Sequence, residues 1–535
     1  MVPADAKSQL LEFLLNPRSY PHQPKRVRLI QTHSAWVFIA MPWVYKVKKP
    51  VSFGFLDFST LEKRRNACAR ELELNRRLSQ GVYWGVVAIT AQGGQLRWGG
   101  EGRTVEYAVK MKYLPERYLL DGLVRDGRFT DRDLRRLVKH LGSFYRAQRP
   151  TPSIEDWGRP SRLRISTEEN ATQTREFIGR TISSGTYDAV QEYTRRFLRS
   201  AARFLGQRVQ QKWIRDCHGD LHLEHIHLTP RSLQIYDCIE FNDRFRYVDV
   251  ASDIAFLAMD LDHEKRPDLA RRLVALLARD LEDPKLERLM PFYKCYRAYV
   301  RGKVESLHSQ AATAPPAERK ASSERATGYF QLALNYAVGA SNPMVLAVMG
   351  RIGSGKSSVS RALAQELGWE LISSDAVRKQ LAGFPLYVRT SQEARHALYS
   401  ERRTRQTYRV LLDAALRFTR EGKSVVLDAT FARRKQRDEF RRALNSRGVT
   451  LRFVELHASD SQVRRRLRQR EFKDMEVSDA RLEDFPILSK RYEVPTELPS
   501  RQRLTIISRG KLETVAGSAL KALARLEADA EAEAD

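Results

Sequence analysis

A glycine-rich segment in the C-terminal half has the residue types and spacing of a phosphate-binding loop. The sequence "GRIGSGKS", from Gly350 to Ser357, fits the pattern G-x-x-x-x-G-K-[ST]. Its glycines let backbone N–H groups approach phosphate oxygens, and a helix that begins at the lysine adds its positive N-terminal end. We expect Lys356 to contact the β- and γ-phosphates of a nucleotide and Ser357 to ligate Mg²⁺. The residues predicted to surround the nucleotide are Gly350, Arg351, Ile352, Gly353, Ser354, Gly355, Lys356, Ser357 and Ser358.

Two carboxylates downstream of this loop each follow a short apolar segment. Asp375 lies in "LISSDAVRKQ" and Asp428 lies in "VVLDATFARR". We expect Asp428 to be a second Mg²⁺ ligand, and Asp375 to accept the proton of an acceptor hydroxyl or to hold Mg²⁺ through water. Thr430 and Arg433 follow Asp428 and are predicted to contact the acceptor.

An arginine-rich segment, "SQVRRRLRQREF", is predicted to form a helix that closes over the nucleotide. Arg466 and Arg470 are four residues apart and would share one helix face, from which they would neutralise the phosphate in transfer. The alternative is a solvated basic helix without a catalytic role.

A second constellation lies in the N-terminal half. The segment "RDCHGDLHLEHIHL" contains Asp220, which is placed to accept the proton of a substrate hydroxyl. The segment "QIYDCIEF" puts Asp237 at the end of a short apolar strand, where it would hold Mg²⁺. Lys46, on a predicted strand, would neutralise nucleotide phosphates, and Glu71, on the next helix, would orient this lysine through an ion pair. The order of these four residues along the chain predicts a second ATP site.

Three segments of this half resemble the aminoglycoside-phosphotransferase (APH-like) kinase family. They lie within residues 30–305 and are "VYKVKKPVSFGFLDFSTLEKR", "CHGDLHLEHI" and "IYDCIEFNDRFRYVDVASDIAFL". The first and third are similar to a subgroup in which such a domain is fused to a P-loop kinase domain. The resemblance implies a two-lobed, protein-kinase-like α+β fold and phosphate transfer to hydroxyls of small molecules, without pointing to an antibiotic. His218, Asp249 and Asp253 are predicted to brace the loop around Asp220.

Two positions depart from the pattern of that family. The segment "QTHSAW" occupies the place of a phosphate-covering loop but contains no glycine. His225 stands where the family has a metal-binding Asn, and imidazole is a poor ligand for Mg²⁺. We still predict that His225 lies at the metal beside Asp237. An active phosphotransferase and a binding-only site both remain open.

The C-terminal half, residues 344 to about 510, resembles small P-loop kinases of the gluconate-kinase, zeta-toxin and polynucleotide-kinase kind. The resemblance is carried by the "GRIGSGKS", "SSD" and "LDAT" segments. It implies a nucleoside triphosphate as the phosphate donor and leaves the acceptor open.

Hydrophobic periodicity predicts the elements that position these residues. The segments "AWVFIA" and "WVYKVKK" predict strands, and "LEKRRNACARELELNRRLS" predicts the helix that follows them. From Met344 onward, short apolar strands alternate with amphipathic helices, which predicts a parallel α/β sheet. The small, polar segment "SQAATAPPAERKASSERA" predicts a domain boundary. The predicted parts are a two-lobed protein-kinase-like α+β domain (1–308), a linker with a connecting helix (309–343), an α/β P-loop kinase domain (344–510), and a C-terminal helix with a frayed acidic tail (511–535).

Composition limits the partners and the compartment. The formal net charge of +28 favours anionic ligands in general. Nucleic acid is compatible with this charge but not favoured, because the sequence has neither zinc-finger spacing nor basic residues interleaved with aromatic ones. The four cysteines form no C-x-x-C pair, and the chain has no signal-peptide pattern and no long apolar run. These features predict a cytoplasmic protein with reduced thiols and no membrane partner.

The leading hypothesis is a two-domain, ATP-dependent phosphotransferase. It would use Mg²⁺ with ATP or GTP and act on hydroxyls of small metabolites such as sugars or sugar acids. One alternative is a regulatory protein, in which a degenerate APH-like half binds a ligand and the P-loop half switches on nucleotide. The other alternative is a nucleic-acid end kinase, for which the net charge would supply the affinity.

Overall fold

The computed structural model describes residues 4–54, 56–311, 314–339, 341–471 and 477–533. These residues fall into two compact units. The first unit, here called the N-terminal unit, comprises Met1–Leu163 and Arg203–Tyr293. The second, here called the P-loop unit, comprises Arg164–Ala202 and Lys294–Asp535. No helix in the described ranges is long and apolar enough to cross a membrane.

The strands, in chain order, are β1 (Arg28–Gln31), β2 (Ala35–Ala40), β3 (Trp43–Lys48), β4 (Tyr83–Gln92), β5 (Gln95–Trp98), β6 (Arg103–Lys112), β7 (Ile214–Asp216), β8 (Ile226–Leu228), β9 (Leu233–Ile235), β10 (Tyr247–Asp249), β11 (Met344–Met349), β12 (Glu370–Ser373), β13 (Val425–Asp428), β14 (Thr450–His457) and β15 (Arg503–Ile507). The helices, in chain order, are α1 (Ala4–Leu15), α2 (Leu61–Asn75), α3 (Leu120–Arg125), α4 (Asp131–Ala147), α5 (Pro152–Glu155), α6 (Pro160–Thr174), α7 (Ser184–Ser200), α8 (Ala202–Gln210), α9 (Val250–His263), α10 (Pro267–Asp280), α11 (Leu286–Ser309), α12 (Pro316–Ala337), α13 (Lys356–Leu367), α14 (Ser374–Leu381), α15 (Gln392–Leu398), α16 (Glu401–Arg420), α17 (Arg434–Asn445), α18 (Asp460–Glu471), α19 (Phe485–Lys490) and α20 (Leu512–Glu533).

An antiparallel sheet begins the N-terminal unit, with the strand order β1-β2-β3-β6-β4-β5. Side chains alternate between the two faces of a strand, so Tyr45 and Val47 of β3 point to one face and Lys46 and Lys48 to the other. Tyr45 and Val47 belong to an apolar cluster with Phe38. The face that carries the two lysines is the face that α2 must cover, because a buried lysine requires a charged partner.

The rest of the N-terminal unit is mostly helical and holds two short antiparallel strand pairs, β7 with β10 and β8 with β9. The turn between β7 and β8 carries Asp220, and the segment after β9 carries Asp237. Helix α9 lies in the interior, with twelve of its residues buried. An apolar helix of this kind gives the two short strand pairs a rigid support.

The P-loop unit contains a parallel sheet with the strand order β12-β13-β11-β14-β15, as the alternation of apolar strands and helices predicts. All six residues of the central strand β11 are buried, which is typical of a strand covered on both faces. The carboxyl ends of β11, β12 and β13 meet at one edge of the sheet, where ligands bind in open α/β sheets.

Helix α7 belongs to the P-loop unit although it precedes the P-loop by more than a hundred residues. It packs along α20, and a Cβ built on Gly517 would lie 3.5 Å from the Cα of Gly185. Arg196 pairs with Asp529 at 2.5 Å, and the hydroxyl of Tyr193 donates to Glu531 at 2.6 Å. The last acidic stretch is therefore helical as far as residue 533, with Asp529 and Glu531 bonded to α7, and this differs from the predicted frayed tail. Residues 534–535 lie outside the described part.

The domain division also differs from the prediction. The predicted linker and connecting helix, residues 309–343, contain helix α12, which packs in the P-loop unit and bonds the helix that follows the loop: Asn335 donates to the carbonyl of Leu367 at 3.1 Å. Residues 316–326 contain no glycine, and Ser322 and Ala326 extend the buried face of α12. Residues 164–202 and 294–308, predicted to be part of the first domain, group with the P-loop unit.

Candidate functional site

The loop after β11 has the geometry expected of a phosphate cradle. Gly350 adopts φ 142°, and a Cβ there would lie 2.6 Å from the carbonyl oxygen of Leu456, so only glycine fits. Gly353 adopts φ 68°, where a Cβ would lie 2.8 Å from Val463. Helix α13 begins at Lys356, directly after the loop. Its first N–H groups point into the loop and provide the partial positive charge that an anion requires.

Lys356, Ser357 and Asp428 converge beside this loop. The ammonium group of Lys356 donates to the carbonyl oxygen of Arg351 at 2.9 Å. Burial lowers the pKa of Lys356, while Asp428 and Asp375 act in the opposite direction. Burial raises the pKa of Asp428, against the hydrogen bond from Ser357 and the charge of Lys356. A hydroxyl and a carboxylate side by side are oxygen donors of the kind that Mg²⁺ accepts, so the residues fit this ion.

A cavity of about 500 Å³ opens in front of the loop and is here called the main cavity. Lys356, Asp375, Asp428, Thr430 and Arg433, all predicted from the sequence, line it. The structure thus brings the predicted donor side and acceptor side of this half together in one cavity.

Asp375 is held in place by two residues that sequence reasoning missed. Arg378, one helical turn later, pairs with its Oδ1 at 2.8 Å and stacks on the ring of Tyr399 at 4.6 Å. The Tyr399 hydroxyl lies 3.5 Å from the same oxygen. The i, i+3 spacing of Asp375 and Arg378 was visible in the sequence; the approach of Tyr399 was not.

The segment that carries Thr430 and Arg433 is fixed from behind. Phe431 has φ 44°, a conformation that is rare for an aromatic residue. Its N–H donates to the Tyr408 hydroxyl at 2.8 Å, and its carbonyl accepts from the buried Arg437 at 2.8 Å. The same Tyr408 hydroxyl lies 3.3 Å from Thr430 Oγ1. These contacts aim Thr430 into the main cavity.

Arg466 and Arg470 have different surroundings. Arg466 donates to the carbonyl of Ser354 at 2.9 Å and to the carbonyl of Ser508 at 2.8 Å. It therefore holds the phosphate loop against the segment after β15 and does not line the main cavity. Arg470 does line that cavity, and its charge contributes to the lowered pKa of Lys356. The two arginines were predicted to neutralise the phosphate together, but of the two only Arg470 lines the main cavity.

A second, smaller cavity of about 230 Å³ adjoins the phosphate loop. Gly353, Gly355 and Arg470 line both cavities, so the loop lies between them. The walls of the second cavity include Ser508, Gly510 and apolar side chains such as Val359, Leu512 and Val515.

In the N-terminal unit, Lys46 and Glu71 form the predicted ion pair at 3.0 Å. Lys46 also pairs with Asp237 at 2.5 Å. Sequence reasoning missed two further members: Lys48 pairs with the other oxygen of Glu71 at 2.6 Å and with Glu240. Burial alone would lower the pKa of Lys46, but Asp237 and Glu71 outweigh it and raise that pKa well above its ordinary value. Lys46 and Lys48 are two residues apart on one strand and therefore lie on the same face, which was the sign in the sequence that Lys48 could join the network.

The loop around Asp220 is fixed by the residues predicted to brace it. Asp253 accepts from the N–H groups of His218 and Gly219 at 3.1 and 2.8 Å. The His218 ring lies 3.0 Å from the carbonyl of Tyr236. Asp249 acts further back, where it pairs with the buried Arg208 at 2.7 Å. The bracing role of His218 and Asp253 is confirmed by these contacts.

Asp237 and His225 meet at the end of β9. Asp237 adopts φ 63°, a left-handed conformation that aspartate adopts more readily than most residues other than glycine. Burial would raise the pKa of Asp237, but Lys46 and His225 outweigh burial and hold it below its ordinary value. Burial, with the neighbouring His222, lowers the pKa of His225 to about 4. His225 Nε2 lies 3.6 Å from Asp237 Oδ2, next to the predicted metal position.

The "QTHSAW" segment forms the turn between β1 and β2. The N–H of Thr32 donates to the carbonyl of Ala35 at 2.9 Å, and the N–H of Ala35 donates to the hydroxyl of Thr32 at 3.0 Å. Both amides are used within the turn, so they cannot bind phosphate there unless the turn opens.

Comparisons with known proteins cover both parts of the chain. Residues 345–495 match the family model described as "AAA domain". The chain is 30% identical over 402 residues to "Uncharacterized protein Rv2004c" of Mycobacterium tuberculosis, a match that spans 75% of this chain and 78% of the relative. An uncharacterized protein of Mycobacterium bovis matches with the same identity and coverage. The chain belongs to the family of these mycobacterial proteins. Since neither unit contains 402 residues, the relationship extends over parts of both units.

The solved structures that resemble part of the chain include three kinases. A gluconokinase from Sinorhizobium meliloti is 24% identical, with a TM-score of 0.28, over 36% of this chain and 98% of its own. The APS kinase of Mycobacterium tuberculosis, in complex with AMPPNP and APS, is 19% identical, with a TM-score of 0.24, over 34% and 98%. A shikimate kinase from Aquifex aeolicus is 15% identical, with a TM-score of 0.25, over 34% and 96%.

Proposed function

We propose that the P-loop unit is a kinase that transfers the γ-phosphoryl group of ATP or GTP to a hydroxyl group of a small metabolite. The observation that carries the proposal is the main cavity, where the phosphate loop and two carboxylates, Asp375 and Asp428, face the same space. A nucleotide hydrolase needs only a water at this position, whereas a cavity of about 500 Å³ has room for an acceptor molecule.

The proposal gives each group near the phosphate loop a role that its position supports. The N–H groups of residues 350–358 and Lys356 bind the phosphates, while Ser357 and Asp428 supply oxygen ligands to Mg²⁺. The ion supplies charge neutralisation on the transferred group when it is bound. Asp375, fixed by Arg378, accepts the proton of the acceptor hydroxyl. Arg470 stabilises the charge on the phosphate in transfer.

The charges of the main cavity favour an acceptor that is itself an anion. Among the described residues, nine lysines and arginines line it, against four aspartates and glutamates. The bound nucleotide and Mg²⁺ would offset only part of this excess. A sugar acid or a phosphorylated metabolite matches this cavity better than a neutral sugar does.

The second cavity would hold the nucleoside. A nucleotide whose β- and γ-phosphates lie in the loop must leave it on one side, and the main cavity is required for the acceptor. The apolar wall formed by Val359, Leu512 and Val515 suits the face of a base, and Arg466 closes the neighbouring edge.

For the N-terminal unit we propose a second ATP-dependent phosphotransferase of the APH-like kind. The pair of Lys46 and Glu71 and the positions of Asp220 and Asp237 support it, with Asp220 as the base toward a hydroxyl acceptor. The turn at Thr32, whose amides are already bonded, favours a site that binds nucleotide more weakly than the P-loop.

The test is transfer of labelled γ-phosphate into a pool of metabolites, with the full chain and with Lys356→Ala, Asp220→Ala and the exposed control Lys423→Ala. Loss of labelled products in Lys356→Ala alone would assign all turnover to the P-loop unit. Separate products lost in each variant would establish two kinases. Nucleotide binding without any labelled product would instead favour the regulatory alternative, and labelled RNA or DNA ends would favour the end kinase.

A further inference from the structure

Four basic side chains that line the main cavity form no ion pair with any carboxylate in the described part of the chain. They are Arg405, Arg409, Lys435 and Arg491. In contrast, Arg351, Arg378 and Arg433 are each paired with a carboxylate. Lys356 and Arg470 have been proposed to act on the nucleotide and on the phosphate in transfer. The four unpaired cations are therefore available to the acceptor.

The acidic side chains of the main cavity do not cancel this charge. Asp375 and Glu401 each pair with an arginine, at 2.8 and 3.8 Å, and Asp428 is proposed to hold Mg²⁺. Among the described residues that line the cavity, Glu439 is the remaining acidic one. One carboxylate against four cations leaves the acceptor side with an excess of positive charge, which an anionic ligand would neutralise.

The four cations come from three parts of the P-loop unit. Arg405 and Arg409 lie one turn apart on the face of α16 that also carries Tyr408. Tyr408 is buried, and its hydroxyl is bonded to the main chain after β13, so this face of α16 is held toward the cavity. Lys435 lies at the start of α17, and Arg491 directly follows α19. Guanidinium groups bind phosphate oxygens through pairs of parallel hydrogen bonds, and a lysine adds a point charge.

The amount of positive charge distinguishes between the anions that could enter. A carboxylate carries a single negative charge, which one bidentate arginine satisfies. A phosphate monoester carries a charge of about −1.5 to −2 at pH 7 and offers three acceptor oxygens. Two arginines with two further cations exceed what a carboxylate requires and match a phosphate group. The volume of about 500 Å³ leaves room for this group beside the carbon skeleton that bears the reacting hydroxyl.

We propose that the acceptor of the P-loop unit is a phosphate monoester that also carries an unesterified hydroxyl group, and that Arg405 and Arg409 bind its phosphate. This inference rests on the proposed kinase function and names the class of its acceptor. In the step, Asp375 takes the proton of the hydroxyl, whose oxygen forms a bond to the γ-phosphorus while the bond from that phosphorus to the bridging oxygen breaks. The products are a nucleoside diphosphate and a compound with two phosphate groups. An earlier phosphorylation must supply such an acceptor, which is the class of reaction proposed for the N-terminal unit.

The experiment follows label from γ-labelled ATP into a metabolite extract, one half of which is first treated with alkaline phosphatase that is then removed. The full chain carries Asp220→Ala, so that label enters through the P-loop unit alone. We expect labelled product from the untreated half, and from the treated half none above the level seen when Lys356→Ala is added. With the acceptor from the untreated half, Arg405→Gln and Arg409→Gln should each raise the acceptor KM by about tenfold or more, because each removes charged hydrogen bonds to the phosphate. The control Arg402→Gln, at an exposed position of α16 outside the main cavity, keeps the KM of the parent chain.

Equal label in both halves, or an unchanged acceptor KM in both arginine variants, would overturn the proposal. If neither half is labelled, the kinase function fails, and a binding measurement decides the ligand class of the cavity separately. With a non-hydrolysable ATP analogue and Mg²⁺ filling the P-loop, calorimetry should show that inorganic phosphate binds at least about tenfold more tightly than acetate. This preference should disappear in Arg409→Gln and persist in Arg402→Gln, and both variants should fold because both side chains are exposed. Equal affinity of the wild type for the two anions, or the same preference in Arg409→Gln, would overturn the proposal.

Discussion

The lysines of the two candidate sites have different kinds of partner. In the P-loop unit, Lys356 bonds a main-chain carbonyl and lies in a cavity where basic side chains outnumber acidic ones. In the N-terminal unit, Lys46 and Lys48 are already paired with Glu71, Asp237 and Glu240. The first site therefore has positive charge available for phosphates, whereas the second must first exchange one of its own carboxylates for a ligand. A lysine near a nucleotide site therefore indicates affinity for phosphate only when the protein's own carboxylates do not already neutralise it.

We expect the largest free-energy change from a substitution in the buried ion network of the N-terminal unit, where it lowers the stability of the fold. A substitution at a single contact of the P-loop should have a smaller effect, on catalysis. Glu71→Gln leaves two buried lysines without their shared carboxylate, and it should reduce the free energy of unfolding by about 3–5 kcal/mol. Chemical denaturation measures the change. The control Glu73→Gln, on the same helix with its side chain 68% exposed, should alter stability by less than about 1 kcal/mol. Equal stability of the two variants would contradict the prediction.

The same glutamate predicts a dependence on pH. Burial alone would raise the pKa of Glu71, but Lys46 and Lys48 outweigh burial and lower it. Because the folded-state pKa lies below the unfolded value of about 4.3, the ionised carboxylate stabilises the fold above that pH. The contribution is lost as the pH falls through the folded-state pKa. Wild type should therefore lose stability more steeply than Glu71→Gln in acid titrations below about pH 4.

Lys356→Ala should remove a charge that is available to bind phosphate, not one that stabilises the fold. We expect nucleotide-dependent phosphotransfer by the P-loop unit to lose about 3 kcal/mol of transition-state stabilisation, or roughly a hundredfold in rate. The fold should remain, because Lys356 forms no ion pair with a carboxylate in the structure as described. Initial rates and thermal unfolding of Lys356→Ala and of Lys423→Ala provide the measurement. A rate in Lys356→Ala equal to that of the control would reject the role.

The two arginines of α18 should have different effects on the kinetics of the P-loop unit. Arg466→Gln removes bonds to Ser354 and Ser508 and should weaken nucleotide binding by about 1.5–3 kcal/mol, which appears as a higher KM for the nucleotide. Arg470→Gln should lower kcat instead, because Arg470 lines the main cavity. The exposed Arg468→Gln serves as the control. The same change of KM and kcat in Arg466→Gln and Arg470→Gln would mean that the two residues act together, as the sequence first suggested.

The smallest effect concerns the packing of α20 on α7 within the P-loop unit. Gly517→Leu inserts a side chain where α20 approaches Gly185 of α7, and overpacking should cost about 1–3 kcal/mol. The unfolding transition that nucleotide stabilises is the one expected to shift, because both helices belong to the P-loop unit. The control is Ser518→Leu, at an exposed position of the same helix. A shift confined to a transition that does not respond to nucleotide would contradict this assignment.

The sequence predicted the P-loop unit best where function depends on adjacent residues. Gly350, Lys356 and Ser357 lie in one short stretch of the sequence, and the glycines of that stretch determine its backbone geometry. Asp375 and Asp428 were found because parallel strands end at one edge of a sheet. Tyr399 was missed because it lies between α15 and α16, and no local pattern predicts its contact with Arg378.

In the N-terminal unit the residue types and their order were predictable from the sequence, but the bonds between them were not. Lys46 and Glu71 meet as predicted, yet Lys48 and Glu240 complete the same network from positions that looked like ordinary surface charges. The grouping of residues 164–202 with the P-loop unit was not predicted for a related reason. Periodicity shows that α7 has an apolar face, but it does not say which surface covers that face.

The packing of α7 on α20 also has a consequence for how the protein is made. Arg196 and its partner Asp529 are 333 residues apart, so the ribosome produces the first long before the second. At roughly 5–20 residues per second, α7 waits on the order of tens of seconds for the helix that covers it. During translation the chain must shield that face by other means. A premature stop near the C-terminus would therefore remove support from a helix made in the first half of the chain.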